Sequence, residues 1–256
     1  MSRRFKHAIV RKPCRNMVNG LTSNDLGKPK YELAVKQHEQ YVKALSSCGI
    51  EIEILEADER YPDSCFIEDV ALCTPHCSII TRPGAVSRRG ETVSIYSVLQ
   101  KYYSSIEHID PPGTLEGGDV MMIGDHYYIG ISDRTNEIGA GQLISILNNY
   151  GMSGSMITLE KVLHLKTGVA YIEENNMVVC GEFVSKPEFK QYNLLEISEF
   201  EAYAANCIWV NGHVIIPTGF PTVSQMIKSS GYPIIEIDMS EFQKLDGGLS
   251  CLSLRF

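Results

Sequence analysis

LEGGD at residues 115–119 and LDGGLSC at residues 245–251 share an acidic-Gly-Gly turn that leads into a strand-like segment. Glycine pairs let the backbone bend sharply, with a positive φ where needed, and approach a ligand closely. A carboxylate or thiol beside such a turn can therefore point into a cavity. Two copies of the turn indicate a structural unit that is used more than once. Cys251, at the end of the second copy, is the first candidate nucleophile.

Turn signals divide the rest of the chain into repeated units of a hairpin, a helix and a strand. Asn211-Gly212 is the strongest hairpin signal, and Asn175-Asn176 and Gly124-Asp125 separate similar pairs of apolar runs. Helices are predicted where apolar residues recur with helical spacing before a glycine. The predicted hairpin strands are 65–72 with 77–82, 120–123 with 127–131, 169–172 with 177–180, and 208–210 with 214–216; the predicted helices are 31–48, 91–103, 133–150 and 221–230; the other predicted strands are 5–10, 50–54, 105–110 and 234–238.

The two ends of the chain complement each other. The N-terminal part supplies a strand, a helix and a second strand without a hairpin, and residues 249–254 are left over as a final strand-like segment. Pairing the terminal strands would complete a fifth unit and cover exposed strand edges. Units that recur every roughly 40 to 55 residues are typical of propellers and arrays. The sequence therefore predicts one α/β domain over residues 1–256, a five-bladed αβ propeller of hairpin-helix-strand units around a pseudo-fivefold axis, closed by its terminal strands.

The composition is that of an ordinary globular protein with an acidic balance. A formal net charge of −8 argues against nucleic acid as the main partner and suits a cationic ligand. No apolar run approaches the roughly 18 residues of a membrane span, and no secretory signal is recognisable. The eight scattered cysteines are therefore expected to be reduced thiols in a cytoplasmic protein without a membrane partner.

Chemically active side chains stand just before or within the first strand of several predicted hairpins. In a propeller these positions lie at one end of the axis, so we expect the side chains to meet there. A thiolate can attack a cationic, electron-poor carbon while a histidine moves protons and carboxylates bind the cation. A guanidinium group fits that description. The residues selected in this way are Asp63, Glu68, Asp69, Glu116, Asp119, His164, Asp246 and Cys251.

Eight segments in register give the chain a resemblance to the dimethylarginine dimethylaminohydrolase family. These guanidine-modifying enzymes belong to the pentein superfamily, whose fold is a five-bladed αβ propeller, and the resemblance extends over nearly the full length. The chain lacks an obvious helical insertion of the kind carried by the larger arginine deiminases. The segments are GLTS at 20–23, PDSCFIED at 62–69, ITRPG at 80–84, SRRGE at 87–91, GTLEGGD at 113–119, LHLKTG at 163–168, NCIWVN at 206–211 and DGGLSC at 246–251.

The resemblance implies hydrolysis of asymmetric dimethylarginine and monomethylarginine to citrulline and dimethylamine or methylamine. Cys251 would attack the guanidinium carbon and form a covalent thiouronium intermediate. His164 would protonate the leaving amine and then activate water, and Glu116 would orient His164. The resemblance implies no cofactor and no metal. The expected partner is the small-molecule substrate, and a homodimer is one option for the assembly.

The resemblance also implies contacts along the whole substrate. Carboxylates would bind the guanidinium nitrogens and the α-amine, two arginines the α-carboxylate, and two leucines would offer backbone contacts. The loop at residues 20–23 is long and polar, and we expect it to act as a lid. The implied binding residues are Asp69 and Glu68 for the guanidinium, Arg88 and Arg134 for the α-carboxylate, Asp63 for the α-amine, and Leu21 and Leu245 for the backbone contacts.

Several alternatives stay open on the sequence alone. Arginine deiminases and amidinotransferases of the same superfamily would use a similar set of residues, and a catalytically silent arginine-binding propeller would share the fold. Taken singly, Cys251 is more typical of a buried core cysteine and His164 of a core histidine. CTPHC at residues 73–77 contains zinc-ligand types, but no second ligand group accompanies it, and a hairpin turn around Pro75 is the simpler interpretation.

Overall fold

Fifteen strands and six α-helices are present in residues 4–256, the part of the chain that the computed structural model describes. The strands form five three-stranded sheets, each with one antiparallel and one parallel pair. None of the helices in this part is both long and apolar enough to cross a membrane. The strands are β1 (His7–Arg11), β2 (Glu51–Leu55), β3 (Ala71–Cys73), β4 (Ser78–Ile80), β5 (Ile106–His108), β6 (Val120–Ile123), β7 (His126–Ile131), β8 (Ser153–Thr158), β9 (Val169–Tyr171), β10 (Asn176–Val179), β11 (Asn193–Glu196), β12 (Ile208–Val210), β13 (His213–Pro217), β14 (Ile234–Ile237) and β15 (Leu254–Arg255). The α-helices are α1 (Tyr31–Ser47), α2 (Thr92–Leu99), α3 (Glu137–Asn149), α4 (Leu165–Gly168), α5 (Pro221–Ser229) and α6 (Ser240–Gln243).

The first sheet joins the two ends of the chain. β15 pairs antiparallel with β1, with Ile9 opposite Leu254, and β2 pairs parallel with β1 after the crossover helix α1. The predicted terminal pairing is therefore present. Its C-terminal strand is shorter than the predicted 249–254, because Ser250–Leu252 forms a turn of 3-10 helix. This turn carries Cys251 in front of the strand instead of within it.

The other four sheets follow the predicted order of a hairpin, a crossover and a parallel strand. Helices α2, α3 and α5 form three of the crossovers. The sheet of β9, β10 and β11 differs, because two 3-10 turns, Gly181–Ser185 and Pro187–Phe189, replace the helix. Gly181 has a φ of 58°, and Pro187 lacks the N–H that a continuing helix needs.

The predicted start of α3 at residue 133 is four residues early. Asn136 caps this helix, since its side-chain oxygen accepts a hydrogen bond from the N–H of Gly139 at 2.8 Å. Such a cap satisfies one of the free N–H groups in the first turn. The helix therefore begins at Glu137, and the preceding residues are free to form the turn that carries Arg134.

The hydrophobic core consists of five clusters that follow one another around the molecule. Each cluster combines residues of two neighbouring sheets, and the series returns to the first sheet. Ile9 and Ile80, from the first two sheets, share one cluster, and Val10 and Ile215 close the series between the first and the last sheet. One strand of each sheet (β15, β3, β6, β9 and β12) lines a central cavity of about 160 Å³. The turns before these inner strands contact one another and build the candidate site.

Candidate active site

Nine of the ten residues to which the resemblance assigns a catalytic or binding role line one cavity. Its volume is about 170 Å³. Residues that the sequence did not select also line it, among them Phe66 and Leu163. The predicted residues in its wall are Leu21, Asp63, Asp69, Arg88, Glu116, Arg134, His164, Leu245 and Cys251.

The acidic-Gly-Gly turns are shaped by close packing. Neither glycine pair has a positive φ, and the positive φ in the second turn belongs to Asp246, at 57°. A Cβ on Gly117 would lie 2.0 Å from the carbonyl oxygen of Glu68, and a Cβ on Gly118 would lie 2.8 Å from Nδ1 of His164. A Cβ on Gly247 would lie 2.1 Å from the ring of Phe66. Glycine is therefore required because the backbone directly touches the groups that form the site.

His164 stands at the centre of a buried carboxylate cluster. Its Nε2 lies 2.8 Å from Oε2 of Glu116. Burial by itself would lower the pKa of His164, but Asp69, Asp119 and Glu116 together outweigh burial and raise the pKa to about 9. His164 is therefore an imidazolium at neutral pH, the form that can donate a proton to a leaving group.

Asp119 holds the segment that carries His164. Its Oδ1 accepts a hydrogen bond from the N–H of Leu165 at 3.0 Å, and its Oδ2 accepts one from Oγ of Ser132 at 2.7 Å. Asp119 is fully buried. The sequence placed this carboxylate among the converging residues but gave it no function, and the structure gives it a positioning one.

Cys251 is a protonated thiol in this site. Burial raises its pKa to about 12, and the nearby carboxylates of Glu68 and Asp69 add to the rise. The N–H of Gly248 donates a hydrogen bond to Sγ at 3.4 Å. Because only the thiolate is an effective nucleophile, the site needs a further positive charge before Cys251 can react.

The two predicted arginines are used differently. Arg88 is buried, and its guanidinium donates hydrogen bonds to Oδ2 of Asp69 at 2.6 Å and to both carboxylate oxygens of Glu91 at 3.0 and 2.9 Å. Arg134 lies 3.8 Å from Glu116, and its guanidinium makes no hydrogen bond within residues 4–256. Arg134 therefore has donors available for an anionic ligand, whereas Arg88 holds Asp69 in place.

Asp63 also lines this cavity. Its Oδ1 accepts a hydrogen bond from the N–H of Leu21 at 3.0 Å. Burial raises the pKa of Asp63, although Arg88 opposes that effect. The carboxylate of Asp63 and the guanidinium of Arg134 together provide opposite charges for a zwitterionic group.

The loop that we expect to act as a lid is bonded to the second acidic-Gly-Gly turn. Oδ2 of Asp246 accepts hydrogen bonds from the N–H and Oγ of Ser23 at 2.6 and 3.0 Å, and Oδ1 accepts one from Nδ2 of Asn24 at 2.8 Å. Leu21, Thr22 and Ser23 line the cavity. The strained conformation of Asp246 therefore directs its carboxylate to the loop that borders the site.

Glu68 lies beside the site and does not line the cavity that contains the other nine residues. Its Oε2 accepts a hydrogen bond from Oγ of Ser250 at 2.9 Å, and its Oε1 pairs with Nζ of Lys166 at 2.5 Å and lies 3.9 Å from Nη2 of Arg255. All four residues line the central cavity. In this structure, Glu68 forms an ion pair between the two cavities instead of offering its carboxylate to a ligand.

Asn206 joins two of the turns that form the site. Its Nδ2 donates a hydrogen bond to the carbonyl of Lys166 at 2.9 Å, and its Oδ1 accepts one from the N–H of Ser250 at 2.9 Å. These contacts tie the segment that carries His164 to the segment that carries Cys251. Asn206 belongs to the NCIWVN segment, one of the eight that carry the family resemblance, but the sequence alone assigned no function to it.

One group of potential metal ligands lies close together within residues 4–256. Asp69, Glu116 and His164 have ligand atoms within 4.8 Å of one another. A metal would require His164 to be neutral, but the same carboxylates favour its protonated form.

The CTPHC segment at residues 73–77 forms a hairpin turn. Within it, Oγ1 of Thr74 donates a hydrogen bond to the carbonyl of Cys77 at 2.7 Å. This contact belongs to the hairpin turn that was the simpler interpretation.

The arrangement combines three chemical capacities in one cavity. A thiol nucleophile, a protonated imidazole and carboxylates line the same cavity, and the guanidinium of Arg134 lines it as well. Together they fit a ligand with a cationic planar group at one end and a zwitterion at the other.

Comparisons with known proteins identify the family. The model of the eukaryotic N,N-dimethylarginine dimethylhydrolase family matches residues 22–252. N(G),N(G)-dimethylarginine dimethylaminohydrolase of Pseudomonas aeruginosa is 58% identical over 253 residues, which cover 98% of this chain and 100% of that protein. A Pseudomonas aeruginosa structure of such an enzyme, a cysteine-to-serine mutant complexed with citrulline, has a TM-score of 0.98 and 57% identity and covers 99% and 100% of the two chains.

A second solved structure is a histidine-to-glycine variant of a dimethylarginine dimethylaminohydrolase in an adduct with S-methyl-L-thiocitrulline. Its TM-score is 0.97 at 57% identity, with 98% of this chain and 100% of that chain covered. The close agreement over the full structures confirms the predicted fold class. The chain belongs to the N,N-dimethylarginine dimethylhydrolase family.

Proposed function

We propose that this protein hydrolyses Nω-methylated arginines to citrulline and a methylated amine through a covalent intermediate on Cys251. The observation that carries this proposal is the joint placement of Cys251, His164 and Glu116 in one cavity with charges suited to a free amino acid. Membership of the dimethylargininase family supports the reaction. The related structures contain citrulline and an S-methyl-L-thiocitrulline adduct, which resemble the expected product and intermediate.

Substrate binding uses both ends of the cavity. The α-carboxylate binds Arg134, and the α-amine binds Asp63, with backbone contacts at Leu21 and Leu245. Arg88 contributes indirectly, because its guanidinium is committed to Asp69 and Glu91. Asp69 remains ionised, since Arg88 and His164 outweigh burial and keep the pKa of Asp69 below its usual value. An ionised Asp69 binds the guanidinium beside Cys251.

The bound substrate activates the nucleophile. A guanidinium cation next to Sγ lowers the pKa of Cys251 from its value of about 12 in the free site, and the thiol proton is released to solvent water. Sγ then attacks the guanidinium carbon and forms a tetrahedral adduct. The free protein therefore keeps a poorly reactive thiol until the correct ligand is present.

His164 performs the two proton transfers. Its imidazolium, held by Glu116, donates a proton to the methylated nitrogen as the carbon–nitrogen bond breaks, which leaves a thiouronium on Cys251. The neutral imidazole then takes a proton from a water molecule that attacks the same carbon. Collapse of the second adduct breaks the carbon–sulfur bond and releases citrulline.

A product assay tests this function. Purified protein is incubated with asymmetric dimethylarginine, monomethylarginine and arginine under reducing, metal-chelated conditions, and citrulline is quantified together with dimethylamine, methylamine and ammonia. We expect equal amounts of citrulline and methylated amine, and no turnover by Cys251→Ser. Preferred turnover of arginine with release of ammonia would make the protein a deiminase, and binding without turnover of any substrate would favour the silent arginine-binding propeller.

Other features of the biology are proposals of the same kind. The cysteines form no disulfide within residues 4–256, which supports a reducing, cytoplasmic location. The small molecule is the proposed partner. A single domain, the absence of nucleic-acid and membrane partners, and a homodimer stay predictions.

A further inference from the structure

A second cavity lies on the other side of the catalytic pair. Its volume is about 160 Å³, and it shares Cys251, His164 and Asp246 with the substrate cavity. The substrate cavity contains the residues assigned to the α-carbon end, including Asp63 and Arg134, and the second cavity contains neither. A guanidinium carbon beside Sγ would therefore have the α-carbon on one side and the second cavity on the other.

The polar side chains in the deep part of this cavity already have partners. The hydroxyl of Tyr203 donates a hydrogen bond to the carbonyl of Gly247 at 2.7 Å. The amide of Asn206 bonds Lys166 and Ser250, as described above. These groups gain little by binding a polar ligand, because they would have to give up existing hydrogen bonds.

The remaining wall is made of small and apolar groups. Val162, Cys180 and Ala202 line the cavity together with Gly118, Gly168 and Gly248. Gly168 could not carry a side chain without contact, since a Cβ there would lie 2.6 Å from the ring of Phe183. Such a wall suits methyl groups, whose burial is favourable and which need no hydrogen bond.

The outer part of the cavity is exposed and acidic. Thr167, Gly181 and Glu199 are exposed residues of its lining. The carboxylate of Glu199 lies beside Gly181, where a Cβ would be 3.3 Å from its Oε1. Lys166 also lines the cavity, but its ammonium is paired with Glu68. The carboxylates of Glu199 and Asp246 therefore favour a cation over an anion along the cavity.

We propose that the second cavity receives the N-methyl groups of the substrate and then conducts the released methylated amine to solvent past Glu199. This inference rests on the proposed function. When the carbon–nitrogen bond of the tetrahedral adduct breaks, His164 supplies the proton to the leaving nitrogen. The neutral amine enters the cavity and takes a second proton from water, which gives an alkylammonium ion beside acidic groups. Citrulline stays in the substrate cavity, so the two products leave in different directions.

Filling the second cavity tests the substrate part of the proposal. Ala202→Leu adds bulk to the wall, and Phe200→Ala is the matched control because Phe200 is 97% exposed and does not line the cavity. We expect Ala202→Leu to lower kcat/KM for asymmetric dimethylarginine roughly tenfold more than for monomethylarginine, as for other mismatches of one methyl group in a pocket. Equal losses for both substrates would overturn this part.

Inhibition by dimethylammonium tests the exit path and does not depend on a change in the core. Dimethylammonium chloride should inhibit turnover more strongly than sodium chloride at equal ionic strength. Glu199→Gln should raise the inhibition constant roughly two- to fivefold, as for the loss of one exposed charge pair. Glu196→Gln, an exposed carboxylate outside the cavity, should leave it unchanged. No selective inhibition, or the same constant in Glu199→Gln, would overturn the proposal.

A readout that needs no turnover separates this proposal from the proposed function. In Cys251→Ser, which lacks the nucleophile, dimethylammonium should bind with a dissociation constant that isothermal titration calorimetry measures, and adding Glu199→Gln should raise that constant. Binding of dimethylammonium by a protein that hydrolyses no methylarginine would contradict the proposed function and support a cationic ligand for the second cavity. Hydrolysis of methylarginine without such binding would support the proposed function and contradict the exit path.

Discussion

Replacing Glu116 by glutamine should shift the pH dependence of catalysis through His164. The pKa of His164 is raised from 6.5 to about 9, a difference that corresponds to about 3 kcal/mol in favour of the imidazolium. Glu116 is the carboxylate that bonds this ring directly, at 2.8 Å. A hydrogen bond to a charged group contributes about 1.5–3 kcal/mol. Its loss should lower the pKa of His164 by roughly 1–2.

The expected effect appears on the alkaline side of the pH profile. In the wild type, kcat/KM for asymmetric dimethylarginine should fall above about pH 9, where His164 loses the proton that the leaving amine needs. In Glu116→Gln this fall should begin roughly 1–2 pH units lower, while Glu137→Gln, an exposed carboxylate at the start of α3, should keep the wild-type profile.

An NMR titration of the His164 ring measures the same property without catalysis. Because the folded pKa is raised, the contribution of His164 to the free energy of unfolding is fully present below pH 6.5 and is lost as the pH rises through about 9. A wild-type titration near 6.5, or an alkaline limb that does not move in Glu116→Gln, would refute this account of the site.

Three further changes test separate parts of the site. Arg134→Gln should raise KM roughly tenfold or more with a smaller change in kcat, because it removes the available donors for the α-carboxylate; an unchanged KM would remove Arg134 from binding. Gly118→Ala places a Cβ 2.8 Å from Nδ1 of His164, so kcat should fall at least roughly tenfold with the fold retained by circular dichroism, and wild-type kcat would show that the contact is unimportant. Asp246→Ala removes the bonds to Ser23 and Asn24 and should speed proteolysis at residues 20–24; an unchanged cleavage rate would count against the proposed lid attachment.

Much of the fold is predictable because the decisive signals are local. Asn211-Gly212 identifies a hairpin, and the structure pairs Val210 with His213 across it, with both residues of the turn at positive φ. The helix at Pro221 also begins where proline favours a first turn. Such signals act within a few residues.

The parts that could not be predicted depend on distant packing. The shortness of β15 follows from the turn that carries Cys251, and the missing helix between β10 and β11 follows from two short turns. Likewise, Glu68 and Asp69 are adjacent carboxylates, and the sequence alone predicts the same function for both. Only tertiary contacts separate them, with Asp69 bonded to Arg88 in the substrate cavity and Glu68 paired with Lys166 beside the central one.

The two arginines of the site show the same limit. Motif position assigned Arg88 and Arg134 to one task, but Arg88 has Asp69 and Glu91 as partners close enough to occupy its guanidinium. Glu91 lies close to Arg88 because both residues belong to the 3-10 helix at Val86–Glu91. The sequence contains no signal that distinguishes a buried, fully bonded arginine from one with free donors.

Covalent catalysis by Cys251 is the central claim, and trapping its intermediate is the most direct test. His164→Gly should slow release of the thiouronium, so the protein is mixed with asymmetric dimethylarginine or S-methyl-L-thiocitrulline, quenched in acid, digested and analysed by mass spectrometry. The account predicts an amidino-ornithine adduct on the peptide that contains Cys251 and no adduct in Cys251→Ser. Product formation with no adduct at any time, or an adduct on another of the eight cysteines, would contradict it.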